Sequence, residues 1–214
     1  MFDQILFDLD GTLTDSYEGI INGVLYALGK LGENTPELSE LKRFIGPPLY
    51  KSFSDLFCGD GQKAMRAVAA YREYYSERGW QENRVYDGVE LMLSTLKSAR
   101  KKLYVATSKP EITSVKILEH FGLDRYFDYI AGATLDKSRA EKTQVMEYAI
   151  AKCGIAKNSA VMVGDRRYDI EGAKAVGIKS IGVLYGYGDR DELETSGADF
   201  IAQTPDDVIN LILR

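Results

Sequence analysis

The chain opens on a short apolar run at residues 4–8 (QILFD) that ends in carboxylates and Gly11. A continuous apolar run of this length, closed by turn residues, predicts a strand buried on both faces. From Ser16 to about Gly79 the pattern changes. Residues 16–31, 36–43, 49–57 and 61–78 read as helices, broken by Gly32, by Gly46-Pro47-Pro48 and by Gly59-Asp60-Gly61, and no strand signal of comparable strength interrupts them. After Gly88 the pattern alternates: helix 89–100, strand 102–107, helix 111–121, strand 127–131, helix 139–153, strand 159–164, helix 168–176, strand 179–184, a short strand near 198–201 and helix 205–213. Strands alternating with helices at this spacing predict an α/β fold, a parallel sheet covered on both faces. The helical stretch between the first strand and the rest then reads as an insertion. The expected organisation is a core of residues 1–15 and 81–214 with an inserted all-helical domain at 16–80.

Composition narrows the possible partners. At 214 residues the chain can bury one substantial core with a smaller second module. Its formal charge is −5 and its pI about 5.1. No basic patch or stripe stands out, which argues against gripping a nucleic acid polymer. An acidic protein that handles phosphate needs a local positive device, such as a metal, a lysine or backbone amides. Cys58 and Cys153 lie far apart without metal-ligand spacing, so reduced thiols are expected. The N-terminal segment has no basic start, its apolar run is interrupted by aspartates, and no stretch reaches 18 uninterrupted apolar residues. The expectation is a cytoplasmic protein without membrane contact, a monomer by default.

Four constellations could carry chemistry. In Asp8-Leu9-Asp10-Gly11-Thr12 two carboxylates one residue apart point the same way at the end of a strand. Their repulsion calls for a cation or a proton; the same residues also suit a solvated Asp-Gly turn. Thr107-Ser108-Lys109-Pro110 ends a strand where a helix begins, a place suited to an anion and equally to a plain N-cap. Lys142 lies three and four positions before Val145 and Met146 and continues the apolar face of its helix. It must either meet a buried anion or snorkel to the surface. In Gly164-Asp165-Arg166-Arg167-Tyr168-Asp169, Asp165 could give an oxygen to a metal and Asp169 orient that shell; both also suit the start of a helix. Carboxyl ends of parallel strands open onto one crevice, which gathers all four there and points to phosphoryl transfer.

These residues, in this order, resemble the haloacid dehalogenase superfamily and its phosphatases. FDLDGTLTDS is similar to the family's first motif, ATSKP to its second, Lys142 to its third and VGDRRYD to its fourth. The resemblance spans essentially the whole chain and implies a Rossmann-like parallel core with the helical insertion as a cap. FIGPPL at 44–49 is similar to cap text of phosphoglycolate phosphatase-like members. The tract GATLDKSRAEK at 132–142 looks closer to the 5′-nucleotidase-like branch. The resemblance implies that Asp8 is a nucleophile carrying an aspartyl-phosphate and that Asp10 is the general acid and base. It further implies that Thr107, the Ser108 amide and Lys142 hold the phosphoryl oxygens. Mg²⁺ would be bound by Asp8, Asp165 and the main-chain carbonyl of Asp10, with Asp169 behind them. The substrate would be a small phosphorylated metabolite, with Arg43 and Arg139 as contacts to its distal charge and hinges near 14–16 and 80–85.

Relatives with other activities can be weighed on single residues. A hydrolytic dehalogenase would lack the second aspartate and the metal, whereas Asp10 and Asp165 are both present. A sugar-phosphate mutase would use a hinge histidine, whereas the single histidine, His120, reads as a helix-end residue. Pyrophosphatase activity fits the same site. A non-catalytic phosphate-binding protein would be expected to lose one of Asp8, Asp10, Lys142 and Asp165. Tyr71, Tyr74 and Tyr75 could stack on a base but read more simply as a packed helix face.

Overall fold

The computed structural model describes residues 2–136 and 138–214. Met1 and Lys137, the latter inside the 132–142 tract, lie outside the described residues. The chain divides into two compact units, Met1–Asp15 with Val85–Arg214, and Ser16–Arg84. Strand β1 (Gln4–Phe7) is followed by the two-residue strand β2 (Thr14–Asp15), after which the chain enters the helical unit.

That unit is built from α1 (Tyr17–Leu31), α2 (Leu38–Leu41) continued by a tighter turn at Lys42–Phe44, α3 (Leu49–Leu56) and α4 (Gly61–Tyr74). Asp60 caps α4 by accepting from the Lys63 amide at 2.9 Å, which satisfies one of the donors a helix start leaves open. The α-helix was expected to run to 78; instead a wider π turn occupies Tyr75–Gly79. Ile20, Ile21, Val24, Leu28, Phe53, Tyr71 and Tyr75 are buried in this unit. The Tyr71 and Tyr75 rings stack at 5.3 Å, and the Tyr74 hydroxyl donates to Glu82 at 2.6 Å. Glu82 also accepts from Asn22 at 3.0 Å, and its carbonyl accepts from the Gly19 amide. These bonds tie residues up to Arg84 to the helices, so the second crossing falls four residues later than the pattern suggested.

The chain returns through β3 (Arg84–Val85), which pairs with β2 in a two-stranded ribbon. Then follow α5 (Val89–Ser98), β4 (Lys102–Pro110), α6 (Glu111–His120), β5 (Tyr129–Ala133), α7 (Lys142–Cys153), β6 (Ala160–Gly164) and α8 (Arg167–Val176). The chain ends with β7 (Lys179–Val183), α9 (Arg190–Ser196), β8 (Phe200–Ala202) and α10 (Pro205–Leu213). Among the described residues six strands form one sheet in the order β5-β4-β1-β6-β7-β8, every neighbouring pair parallel. Strand β1 is central and fully apolar in its interior. Leu6 joins Tyr104, Met162, Val145, Met146 and Ala173 in a cluster under α7 and α8, while alternation sends Ile5 and Phe7 to the opposite face. Successive connections run outward from β1 through β4 to β5, then restart at β6 on its other side. A reversal of this kind opens a crevice at the carboxyl ends of β1 and β6.

Three differences from the sequence pattern have local causes. Helix α7 starts at Lys142, not 139, because Thr134 and Arg139 bond to each other: the Thr134 amide donates to the Arg139 carbonyl at 2.8 Å and the Arg139 amide to Thr134 Oγ1 at 3.0 Å. Gln144 then caps the start, accepting from the Ala140 and Glu141 amides at 2.9 and 3.1 Å. Helix α9 is too short to show periodicity, and its signature is the cap itself, the Glu192 amide donating to Asp189 at 2.8 Å. Strand β4 runs to Pro110 and carries Lys109 along it. His120 closes α6 on an exposed surface. Among the described residues no helix is long and apolar enough to cross a membrane.

Candidate active site

Parallel pairing sets Phe7 beside Val105 on one side and beside Val163 on the other. The next residue, Asp8, is thereby held at the mouth of the switch point, its amide donating to the Val163 carbonyl at 2.9 Å. Asp165 follows the end of β6 and is fully buried, as is Asp169 in the first turn of α8. Oxygens of Asp8, Asp165 and Asp169 all lie within 4.8 Å of one another.

Lys142, the first residue of α7, reaches into this cluster. Its ammonium lies 2.7 Å from Asp8 Oδ1, 2.8 Å from Asp169 Oδ1 and 3.1 Å from the Ala106 carbonyl. Burial alone would lower its pKa, but Asp169 and Asp8 outweigh that and hold it above the ordinary lysine value. Burial pushes the Asp165 carboxyl well up, and Asp169 and Asp8 add to it; the Tyr187 amide and Arg166 pull the other way. Asp169 is pushed up to about 6, first by burial and then by Asp8, against Lys142.

Asp165 is enclosed by hydrogen-bond donors. The Tyr187 amide donates to its Oδ2 at 2.9 Å and the Thr12 hydroxyl to its Oδ1 at 3.2 Å. Gly11 has φ +84°, and a Cβ there would lie 2.2 Å from Asp165 Oδ2. Asp10 turns its carboxylate to Lys109, whose ammonium bonds both oxygens at 2.9 and 2.7 Å. Thr107 is buried and its hydroxyl accepts from the Lys109 amide at 3.2 Å, while Ser108 is half-buried beside it on β4.

Whether these residues suit a cation can be judged by charge and by donor type. Three buried carboxylates crowd around one ammonium, and without a further cation they relieve their repulsion only by holding protons, as the upward shifts of Asp165 and Asp169 reflect. Among the described residues Asp169 Oδ1 meets the Lys142 ammonium, which Asp8 shares. Uncompensated charge is too costly to leave in a protein interior. An all-oxygen donor set suits a hard divalent cation, so the residues fit a metal of the Mg²⁺ type.

The structure brings together Asp8, Lys142, Asp165 and Asp169, with Asp10 adjacent through the β1 loop. Arg139 is engaged elsewhere: its guanidinium donates to the Gly132 carbonyl at 2.7 Å and Glu111 at 2.6 Å, and covers the Tyr148 ring at 3.7 Å. Arg43 is an exposed residue of the helical unit. Sequence reasoning gave no part to Lys109, Thr12 or the Gly186-Tyr187-Gly188 segment. A Gly-x-Gly step directly after a strand was the available signal for the last.

A parallel core with an acid cluster at its switch point suits a cation and the phosphoryl group it would help to hold. The chain belongs to the haloacid dehalogenase-like hydrolase family, whose profile matches residues 5–183. It is 44% identical over 192 residues to a 5′-nucleotidase of Pseudomonas aeruginosa, covering 90% of this chain and 87% of that one. A Mycobacterium tuberculosis protein named tyrosine-protein kinase PtkA is 42% identical over 205 residues, 96% of this chain and 67% of that one. Among solved structures, a predicted phosphatase from Clostridium acetobutylicum superposes with a TM-score of 0.95 at 45% identity, over 100% of this chain and 99% of that one.

Proposed function

We propose that this chain is a Mg²⁺-dependent phosphatase that hydrolyses small phosphate monoesters, of the 5′-nucleotide or phosphoglycolate kind, through an aspartyl-phosphate on Asp8. The observation that carries the reading is the buried crowding of Asp8, Asp165 and Asp169 around the single ammonium of Lys142, which a divalent cation would relieve. The carboxylates of Asp8 and Asp165 with the Asp10 carbonyl would hold the ion, and Asp169 would set their orientation from α8. Bound there, magnesium supplies charge neutralisation for the phosphoryl oxygens and the nucleophile.

Asp8 forms an oxygen–phosphorus bond as the ester oxygen leaves, and Asp10 gives that oxygen a proton. Water then attacks phosphorus, Asp10 takes its proton, and the Asp8 oxygen is released with inorganic phosphate. Dividing the hydrolysis in this way replaces one difficult displacement with two easier ones. Lys142, the Ser108 amide and Thr107 would hold the phosphoryl oxygens, so that positioning and charge compensation supply most of the rate. The acid role requires Asp10 to turn from Lys109 toward the leaving oxygen. The helical unit would act as a cap that admits the leaving group, with Arg43 as a contact for its distal charge; Arg139, held by Gly132 and Glu111, is left out of that role. A cytoplasmic monomer acting on soluble metabolites is the setting this reading assumes.

The likeness to the Pseudomonas 5′-nucleotidase supports nucleoside 5′-monophosphates as the first substrates to try. The likeness to PtkA supports a second reading, in which the phosphoryl group on Asp8 passes to a protein tyrosine and not to water. A turnover screen across nucleoside monophosphates, phosphoglycolate, sugar phosphates and pyrophosphate, with and without Mg²⁺, separates the substrate classes. Asp8→Asn is expected to abolish turnover while circular dichroism stays native. Retained turnover in folded Asp8→Asn protein rules out the nucleophile assignment.

A further inference from the structure

The segment that follows β7, Leu184-Tyr185-Gly186-Tyr187-Gly188, lies across both loops that carry the acids. A Cβ on Gly186 would fall 2.2 Å from the Gly11 carbonyl and 2.3 Å from Asp165 Cβ, and one on Gly188 would fall 2.0 Å from the Asp165 carbonyl. The two glycines therefore let this backbone press against Gly11 and Asp165 closer than any side chain allows. Between them, Tyr187 makes two bonds in different directions. Its amide donates to Asp165 Oδ2 at 2.9 Å, and its hydroxyl donates to Asp15 Oδ1 at 2.9 Å. Asp15 is the last residue of the core unit before the chain crosses into the helical unit.

From this geometry we infer that Tyr187 is a positioning residue for the cation site, with its hydroxyl anchored on Asp15 so that its amide fixes the Asp165 carboxylate. The inference rests on the reading of Asp165 as a cation ligand. An outer-sphere donor sets where a ligand oxygen points without touching the metal, and its loss weakens metal affinity more than the chemistry that follows. The hydroxyl bond to Asp15 joins two side chains, so either end can be removed without changing the backbone.

The test is calorimetric titration of Mg²⁺ into the full-length apoprotein, alongside turnover at saturating Mg²⁺. Tyr187→Phe is expected to raise the Mg²⁺ dissociation constant about 10-fold while kcat at saturation stays within about twofold. Asp15→Ala, which removes the other end of the bond, is expected to weaken binding by a similar factor. The double variant is expected to be no weaker than either single one, because both changes break one interaction. Unchanged Mg²⁺ affinity in the single variants, additive losses in the double, or a loss confined to kcat would each overturn the role of Tyr187 and leave the cation site standing. Failure of the wild-type protein to bind Mg²⁺ would remove the cation reading and the anchor together.

Discussion

At Gly11 the chain turns with φ +84° directly against the Asp165 carboxylate. Any side chain here meets both a disfavoured backbone region and an occupied volume, a combined cost of about 1–3 kcal/mol. Gly11→Ala is expected to displace Asp165, weaken Mg²⁺ binding by at least about 10-fold and lower stability by that amount. Calorimetry and urea melts check the two effects, and wild-type Mg²⁺ affinity in the variant would show that the contact is not limiting. Much at this scale was legible beforehand. Asp8 and Asp165 follow strand ends, which topology sends to one crevice, and Asp169 lies one turn into the helix after the second. The place of Lys142 on the apolar face of α7 left two courses open, and its ion pairs with Asp8 and Asp169 show the inward one. Lys109 was not legible, because its partner Asp10 is 99 positions away, and a lysine one residue past a Thr-Ser pair carries no local sign of that partner. Tyr187 was hidden for a related reason: the bond that matters comes from its main chain, which residue type does not reveal.

Asp128 joins three elements. It precedes β5, accepts from the Leu103 amide of β4 at 2.9 Å and pairs with Lys97 of α5 at 2.9 Å. Burial would raise its pKa, but the Lys97 bond and the Leu103 amide outweigh it, so the carboxyl titrates below its ordinary value. A depressed carboxyl stabilises the fold above its unfolded pKa and loses that contribution as pH falls through the folded one. With the side chain more than a third exposed, the contribution at neutral pH is expected to be about 1 kcal/mol. Asp128→Asn should therefore be less stable than wild type at neutral pH, with the difference fading below about pH 4. Urea melts across that range decide it, and a difference that persists unchanged in acid would refute the assignment. The apolar strands β1 and β6 were readable because each is an uninterrupted apolar run closed by turn residues, as burial on both faces requires. The two-residue strands β2 and β3 and the seven-residue α9 were not, since pairing or capping at that length produces no period. The start of α7 was misplaced because the closure between Thr134 and Arg139 uses side-chain and main-chain bonds that a hydrophobic pattern does not register.

For the molecule as a whole, chemistry on the proposed reading belongs to the sheet unit and selection to the helical unit inserted between β1 and the rest of the sheet. On the proposed reading Arg43, exposed in the helical unit, contacts the distal charge of a substrate. Arg43→Ala is expected to raise KM several-fold for a charged ester such as a nucleoside monophosphate and to leave p-nitrophenyl phosphate turnover unchanged. Equal effects on both substrates would remove Arg43 from substrate recognition. The insertion was legible as a run of helical text without strands, but its exact end was not, because Glu82 is tied to Gly19, Asn22 and Tyr74 by bonds that sequence spacing does not announce. The sheet order also governs how the molecule comes to exist. Within the sheet, the central strand β1 precedes both of its neighbours in the chain, and Gln4 finds them only at Lys102 and Ala160. Until both arrive, β1 is an apolar ribbon with two open edges, a state prone to wrong pairing. Closing such distant contacts is slow. The emerging chain should therefore need shelter through much of its synthesis, and its acids cannot assemble before most of the sequence has left the ribosome.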